Sequence, residues 1–147
     1  MQKANEQWAF HNDMIKAVQV ALIKKGGKVT KLTTDEKKLL VSDIKLDGAP
    51  VKIKAAHQSQ VNILFETSNE GKDSWFLKTR ARYLCQAIEE DKKAYIINIK
   101  DVKDYIANPT SKIQIYETEY GTQAFMIPIK VLQEHNLIVD VIHLELK

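Results

Sequence analysis

The strictest constraint in this chain is the stretch VSDIKLDGAPVKIKAAH, residues 41 to 57, where apolar and charged residues alternate on either side of a turn sequence. Alternation with a period of two belongs to a strand that buries one face, and DGAP is suited to a tight turn. Residues 39–46 and 51–57 therefore read as the two arms of a hairpin. With the turn centred on Gly48-Ala49, Asp43 lies across from Lys54 and Lys45 across from Lys52. Asp43, Lys45, Lys52 and Lys54 then share one face, and Ile44, Leu46, Val51 and Ile53 share the other. A slip of one residue would bury the charges, so the pattern selects the face that meets a core.

The remaining segments supply what such a hairpin packs against. Between Ala4 and Lys25, Trp8, Met14, Ile15, Val18, Ala21 and Leu22 recur at helical spacing, and Gly26-Gly27 is a helix stop. Val29 to Leu32 reads as a short strand and residues 33–38 as a polar connection. Residues 60–68 (QVNILFETS) read as a strand and 69–74 as a loop. Leu77, Ala81, Leu84, Cys85 and Ile88 are spaced as a second amphipathic helix. AYIINI, 94 to 99, has the near-continuous apolar character of a strand buried on both faces. VKDYIANP is a short helix stopped before Pro109. KIQIYE, QAFMIPI and LIVDVIHLEL are late strands, with KVLQEH a helical turn between the last two.

The expected fold is therefore α+β, a central mixed β-sheet flanked by helices, in a single domain over residues 1–147. The 147 residues, 44% hydrophobic and 28% charged, suit one compact core rather than a disordered chain. A net charge of +3 permits a polyanionic partner without requiring one. A single cysteine, Cys85, excludes an intrachain disulfide and any zinc site built on several thiolates. No apolar run approaches the length that spans a bilayer, and the polar start MQKANEQWAFHND lacks a signal-type core. The expectation is a soluble, cytoplasmic protein with no membrane partner.

The charged face of the hairpin has two readings. In the first, a half-buried hairpin shows its polar side to water, and a cross-strand Asp–Lys pair adds a fraction of a kcal/mol. In the second, the face does chemistry on a phosphodiester. That chemistry needs clustered oxygen ligands for Mg²⁺ and a cation beside the attacking water. Asp43 and Lys54 supply one ligand and one cation. A second carboxylate is missing, because Lys52 stands two residues before Lys54, and an ammonium there repels a metal.

The order of pieces resembles the PD-(D/E)xK (restriction-endonuclease-like) nuclease superfamily, especially small versions from phages and mobile elements. The resemblance runs over about residues 1–132. It rests on a helix, a hairpin carrying an acid, a strand ending in x-x-Lys, NILFE, KDSWFLKT, ARYLCQAI, AYIINI followed by KDVKDYI, and YGTQAFMIPI. It implies a DNA-acting hydrolase with Asp43 as metal-binding acid, Lys54 as the lysine of the catalytic strand, and Mg²⁺ as cofactor. It also implies a glutamate from the first helix, for which Glu6 is the nearest candidate, and self-association as a homodimer. Asp47 is a second candidate acid, placed in the turn. Two positions depart from the pattern. Lys52 replaces an expected Glu or Gln, and Arg82 stands where an Asp often precedes Tyr-Leu. Both changes favour phosphate over magnesium, so the second expectation is a non-cleaving protein of the same fold that binds nucleic acid or a protein partner. A scaffold domain with incidental basic residues is the third.

Lys78, Arg80 and Arg82 flank the apolar stripe of the second helix and, with Lys45, Lys52 and Lys54, form a candidate basic surface for nucleic acid, DNA being the expected form. Trp75 and Phe76 suit base stacking but more often anchor a loop. Glu66 reads as a strand-end carboxylate in water rather than a nearby acid. His11 falls within the apolar arc of the first helix and His57 follows the Lys54 strand. His135 and His143 have no partners at metal-ligand spacing, and Cys85 reads as a small core residue. No glycine-rich phosphate loop is present.

Overall fold

The computed structural model describes residues 2–146. Its scaffold is a six-stranded sheet in the order β1 (Val29–Lys31), β2 (Ile44–Leu46), β3 (Ala49–Ala56), β6 (Tyr83–Ile88), β7 (Lys93–Asn98), β10 (Ile138–His143). β3 and β6 run parallel at the centre, and the other pairs are antiparallel. This is the expected α+β class with a mixed sheet. A second sheet, not foreseen, has the order β5 (Lys72–Asp73), β4 (Asn62–Asn69), β9 (Thr122–Pro128), β8 (Gln114–Glu117).

Alternation along the strands of the first sheet sends side chains into two separate cores. On one face Ile44, Val51, Ile53, Cys85, Ala87, Ala94 and Ile96 meet Met14, Val18, Ala21 and Leu22 of helix α1 (Gln2–Lys24). On the other, Leu84, Ile88, Tyr95 and Ile97 meet Ile63, Phe65 and Ile127 of the second sheet. Trp75 and Phe76 of α3 (Trp75–Lys78), Val102 of α4 (Ile99–Ala107) and Leu132 of α5 (Ile129–Glu134) fill out that second core. Helix α1 stops as foreseen, with Gly26 at φ +91° and the Gly27 N–H donated to the Leu22 carbonyl at 3.0 Å. Trp8, expected on its buried arc, is instead 71% exposed. No helix among the described residues is long and apolar enough to cross a membrane.

Four expectations are corrected. Residues 33–38 are not a connection but open α2 (Thr34–Leu40), nucleated by a capping box in which Thr33 and Glu36 exchange hydrogen bonds of 3.0 and 3.1 Å. That helix takes Leu39 and Leu40 from the start of the first hairpin arm, residues 41–43 turn the chain, and only Ile44–Leu46 remain as strand. The second amphipathic helix is absent: after the single turn of α3 the chain extends and becomes β6. Ala81, Leu84, Cys85 and Ile88 match helical spacing by coincidence, because a strand buried on both faces needs no alternation. The hairpin turn is centred on Asp47-Gly48, at φ 50° and 84°, rather than on Gly48-Ala49. Two successive positive φ values make the hairpin turn whose twist matches the strands. Lys45 thus pairs with Pro50 and Ile44 with Val51. The shift from the expected register is two residues, so every side chain keeps its face.

Candidate functional site

Asp43 lies just before β2, where the chain leaves α2 and joins the sheet. Its backbone N–H donates to the Val51 carbonyl at 2.8 Å, and its Oδ2 accepts from the Ile53 N–H at 2.7 Å. The carboxylate therefore continues the ladder beyond the strand end, standing in for a backbone carbonyl. A charged acceptor makes such a bond stronger than a neutral one.

Three basic side chains share its neighbourhood. Lys52 and Lys54 lie on the face of β3 that looks toward the second sheet, and His11 reaches in from α1. Partial burial lowers the pKa of His11; Asp43 draws it back up, and Lys52 and Lys54 press it further down. Its imidazole is therefore neutral at pH 7. Burial also lowers the pKa of Lys54, with Lys52 adding to the effect and Glu66 and Asp43 opposing it. Lys54 is half-buried, and an ammonium so placed gains from any further anion.

Lys54 also lines a recess of about 190 Å³ between the two sheets. Across the first sheet Lys54 is level with Gln86, and Gln86 with Tyr95. Gln86 and Trp75, each 8% exposed, form part of the recess wall. Glu66 faces them from β4 and accepts a 2.7 Å hydrogen bond from the Ser74 hydroxyl.

The other candidates lie elsewhere. Glu6 is exposed on α1, five residues before His11 and so about 140° around the helix from it. His11, placed by the sequence within the apolar arc of the helix, is close enough to feel the charge of Asp43, and Asn12, Asp13 and Lys16 of the same helix line a hollow with Asp43. Lys45 pairs with Glu36 of α2 at 3.7 Å. Lys78, Arg80 and Arg82 do not border a second helix: Lys78 ends α3, while Arg80 and Arg82 lie in the extended lead into β6, and all three are exposed. Tyr83 is level with Val51, which puts Arg82 about 13 Å along the strands from the level of Lys54. Its side chain lines another hollow, with Asp47 and Asp140. Asp47 itself accepts from the Lys28 N–H at 2.8 Å. His57 stacks on Phe10 at 3.6 Å and contacts Glu89 at 3.0 Å, while His135 packs on Tyr105. Cys85 is fully buried, and that burial pushes its thiol pKa up to about 12.

The residues do not fit magnesium. Mg²⁺ asks for several oxygen ligands, and among the described residues no three His, Cys, Asp or Glu side chains gather in a group that could hold a metal ion. Asp43 already braces β3 through the Ile53 N–H, and the hollow it lines with Asp13 also carries Lys16, Lys31 and Lys37. What the arrangement can do is hold a phosphate.

No family model matches the sequence, and no curated protein matches it. Among solved structures the chain is similar to a bacterial homing endonuclease, I-Ssp6803I, with a TM-score of 0.48 and 14% identity over 80% of this chain and 75% of that one. A likeness of that depth leaves the functional case to the side chains.

Proposed function

We propose that the chain binds nucleic acid by its phosphodiester backbone, at a cationic site on β3, without magnesium-dependent cleavage. Lys52 and Lys54 contact phosphate, neutral His11 offers a hydrogen bond beside them, and Asp43 acts as a brace rather than a metal ligand. One observation carries the reading: Asp43 is tied to the Ile53 N–H and acts on His11 and Lys54, while among the described residues no three His, Cys, Asp or Glu side chains gather in a group that could hold a metal ion. Each phosphate neutralised by a lysine releases condensed counterions, so the affinity is expected to fall steeply with salt.

The test is retention of single- and double-stranded DNA across a salt series, in Mg²⁺, Mn²⁺ or EDTA, with the substrate checked for cutting. The expected result is salt-sensitive retention that EDTA does not alter, with Lys52→Gln lowering the slope of log affinity against log salt by about 1. Metal-dependent cutting that is abolished by Asp43→Asn would overturn the reading.

A further inference from the structure

The recess beside Lys54 is unusual in what it leaves unbonded. The indole Nε1–H of Trp75 is buried and, among the described residues, has no acceptor. A buried donor in that condition costs about 1–3 kcal/mol, so its presence calls for an account. Gln86 is as deeply buried, and its side-chain amide donates only to the neighbouring Ala87 carbonyl, at 3.4 Å, near the limit of a hydrogen bond. Both residues line the same recess, which also holds the Glu66 carboxylate and opens at partly exposed Leu64 and Tyr116.

The chemistry of these groups narrows what fits. Trp75 and Lys54 only donate, Gln86 both donates and accepts, and Glu66 accepts. A simple anion would satisfy the donors and be repelled by Glu66. A neutral planar group with carbonyl oxygens, ring nitrogens and amino hydrogens along its edge would satisfy all of them. The walls beside the polar groups are aromatic and aliphatic, from Trp75, Tyr116 and Leu64, which suits the faces of such a ring. The volume is below that of a pocket for a drug-sized ligand. It suits a ring alone, with its attachments left outside.

We propose that this recess receives the base of an unpaired nucleotide, its edge read by Trp75, Gln86 and Glu66, while the adjoining phosphate lies on Lys54 and Lys52. The inference rests on the phosphate site above and extends it from backbone to base. A base inside a duplex has its edge paired and its faces stacked, so it cannot enter without being extruded. The chain is therefore expected to prefer single strands, or duplexes carrying an unpaired base.

Trp8→Phe leaves Trp75 as the one tryptophan, which gives a fluorescent reporter inside the recess. Three probes are titrated into that variant: a short single-stranded DNA, the same strand with abasic sites throughout, and each of the four nucleoside monophosphates. The expected result is a change in Trp75 emission with the ordinary strand and with at least one monophosphate, none with the abasic strand, and several-fold weaker retention of the abasic strand. Gln86→Leu, which keeps the bulk of the side chain, is expected to weaken the ordinary strand several-fold and leave the abasic one unchanged. If both strands bind equally and emission does not move, the base recess is overturned while the phosphate site stands. If neither strand binds at low salt and no monophosphate alters emission, both are overturned.

Discussion

Ile53 and Lys54 are adjacent on β3 and point into different layers. Ile53 is fully buried beneath α1 among Val18, Val51, Cys85 and Ala87. Lys54 faces the second sheet in a row with Gln86 and Tyr95. The layer beneath α1 is apolar where it covers Ile53. The opposite layer is equally apolar around Phe65, Phe76 and Ile97 but is interrupted at one end by an ammonium, an amide and an unpartnered indole. Burying such groups makes little sense for stability, since each costs desolvation that an apolar side chain would avoid. The comparison teaches that adjacent positions on one strand can meet opposite demands, Ile53 filling a core and Lys54 bringing a charge to the edge of a recess.

The sharpest way to break this contrast is to change the two neighbours separately. Ile53→Ala is expected to lower unfolding free energy by about 3 kcal/mol in denaturant titrations, because it opens a cavity in a closed layer. Lys54→Met, one residue away, is expected to leave stability within about 1 kcal/mol of the parent or to raise it. The same change is expected to weaken retention on nucleic acid in the salt series. Equal losses from both changes would show that Lys54 serves the fold as Ile53 does. A smaller effect is expected at the strand end. Asp43→Ala removes the acceptor of the Ile53 N–H and is expected to cost about 1–2 kcal/mol, whereas Asp43→Asn keeps an acceptor there and costs less. Thermal or urea unfolding of the pair measures the brace independently of any chemistry.

The smallest effect is a pH dependence. The unfolded chain takes up a proton on His11 near its ordinary value, but the folded chain does so only at lower pH, because burial lowers the pKa there. The unfolded state then binds more protons in that window, so stability is lost as pH falls from about 6.5 through the lowered folded value. His11→Asn is expected to remove this component, read as a flatter stability profile between neutral and mildly acidic pH. An unchanged slope would show that His11 is not desolvated in solution.

Much of this organisation is legible in the residues, and the failures have physical causes. The alternation in DIKLDGAPVKIK places Asp43, Lys52 and Lys54 on one side whichever turn is chosen, because the two candidate registers differ by an even number. Asp47-Gly48 would have settled the turn, being a favoured pair for two successive positive φ values. The Thr33–Glu36 capping box is also visible in the sequence and marks α2. The segment from Ala81 to Ile88 misleads because a strand buried on both sides carries no alternation, and the EEDKK that follows suits a helix end as well as a turn. The second sheet cannot be inferred locally, since it pairs β4 with β9 from far along the chain. Glu6 and His11 show the same limit: both lie on α1, and only the packing angle of that helix selects which of them reaches Asp43. Gln86 and Trp75 carry no pattern that would mark them. Their significance is one unmade hydrogen bond at Trp75 and one long one at Gln86, which exist only once the walls have met.

That late meeting of the walls has a kinetic consequence. Phe65 on β4 stands opposite Phe125 on β9, about sixty residues further on, so the outer wall closes a long loop. The central strands β3, β6 and β7 need only shorter connections. Long-range pairings are slow because the chain loses entropy before it gains contacts. During synthesis the lysine row is thus laid down well before the recess it borders, and in the finished protein the outer wall is the segment expected to open first. Amide exchange should then be faster across β4 and β9 than in β3 and β6. A molecule entering through that opening would leave the layer beneath α1 undisturbed.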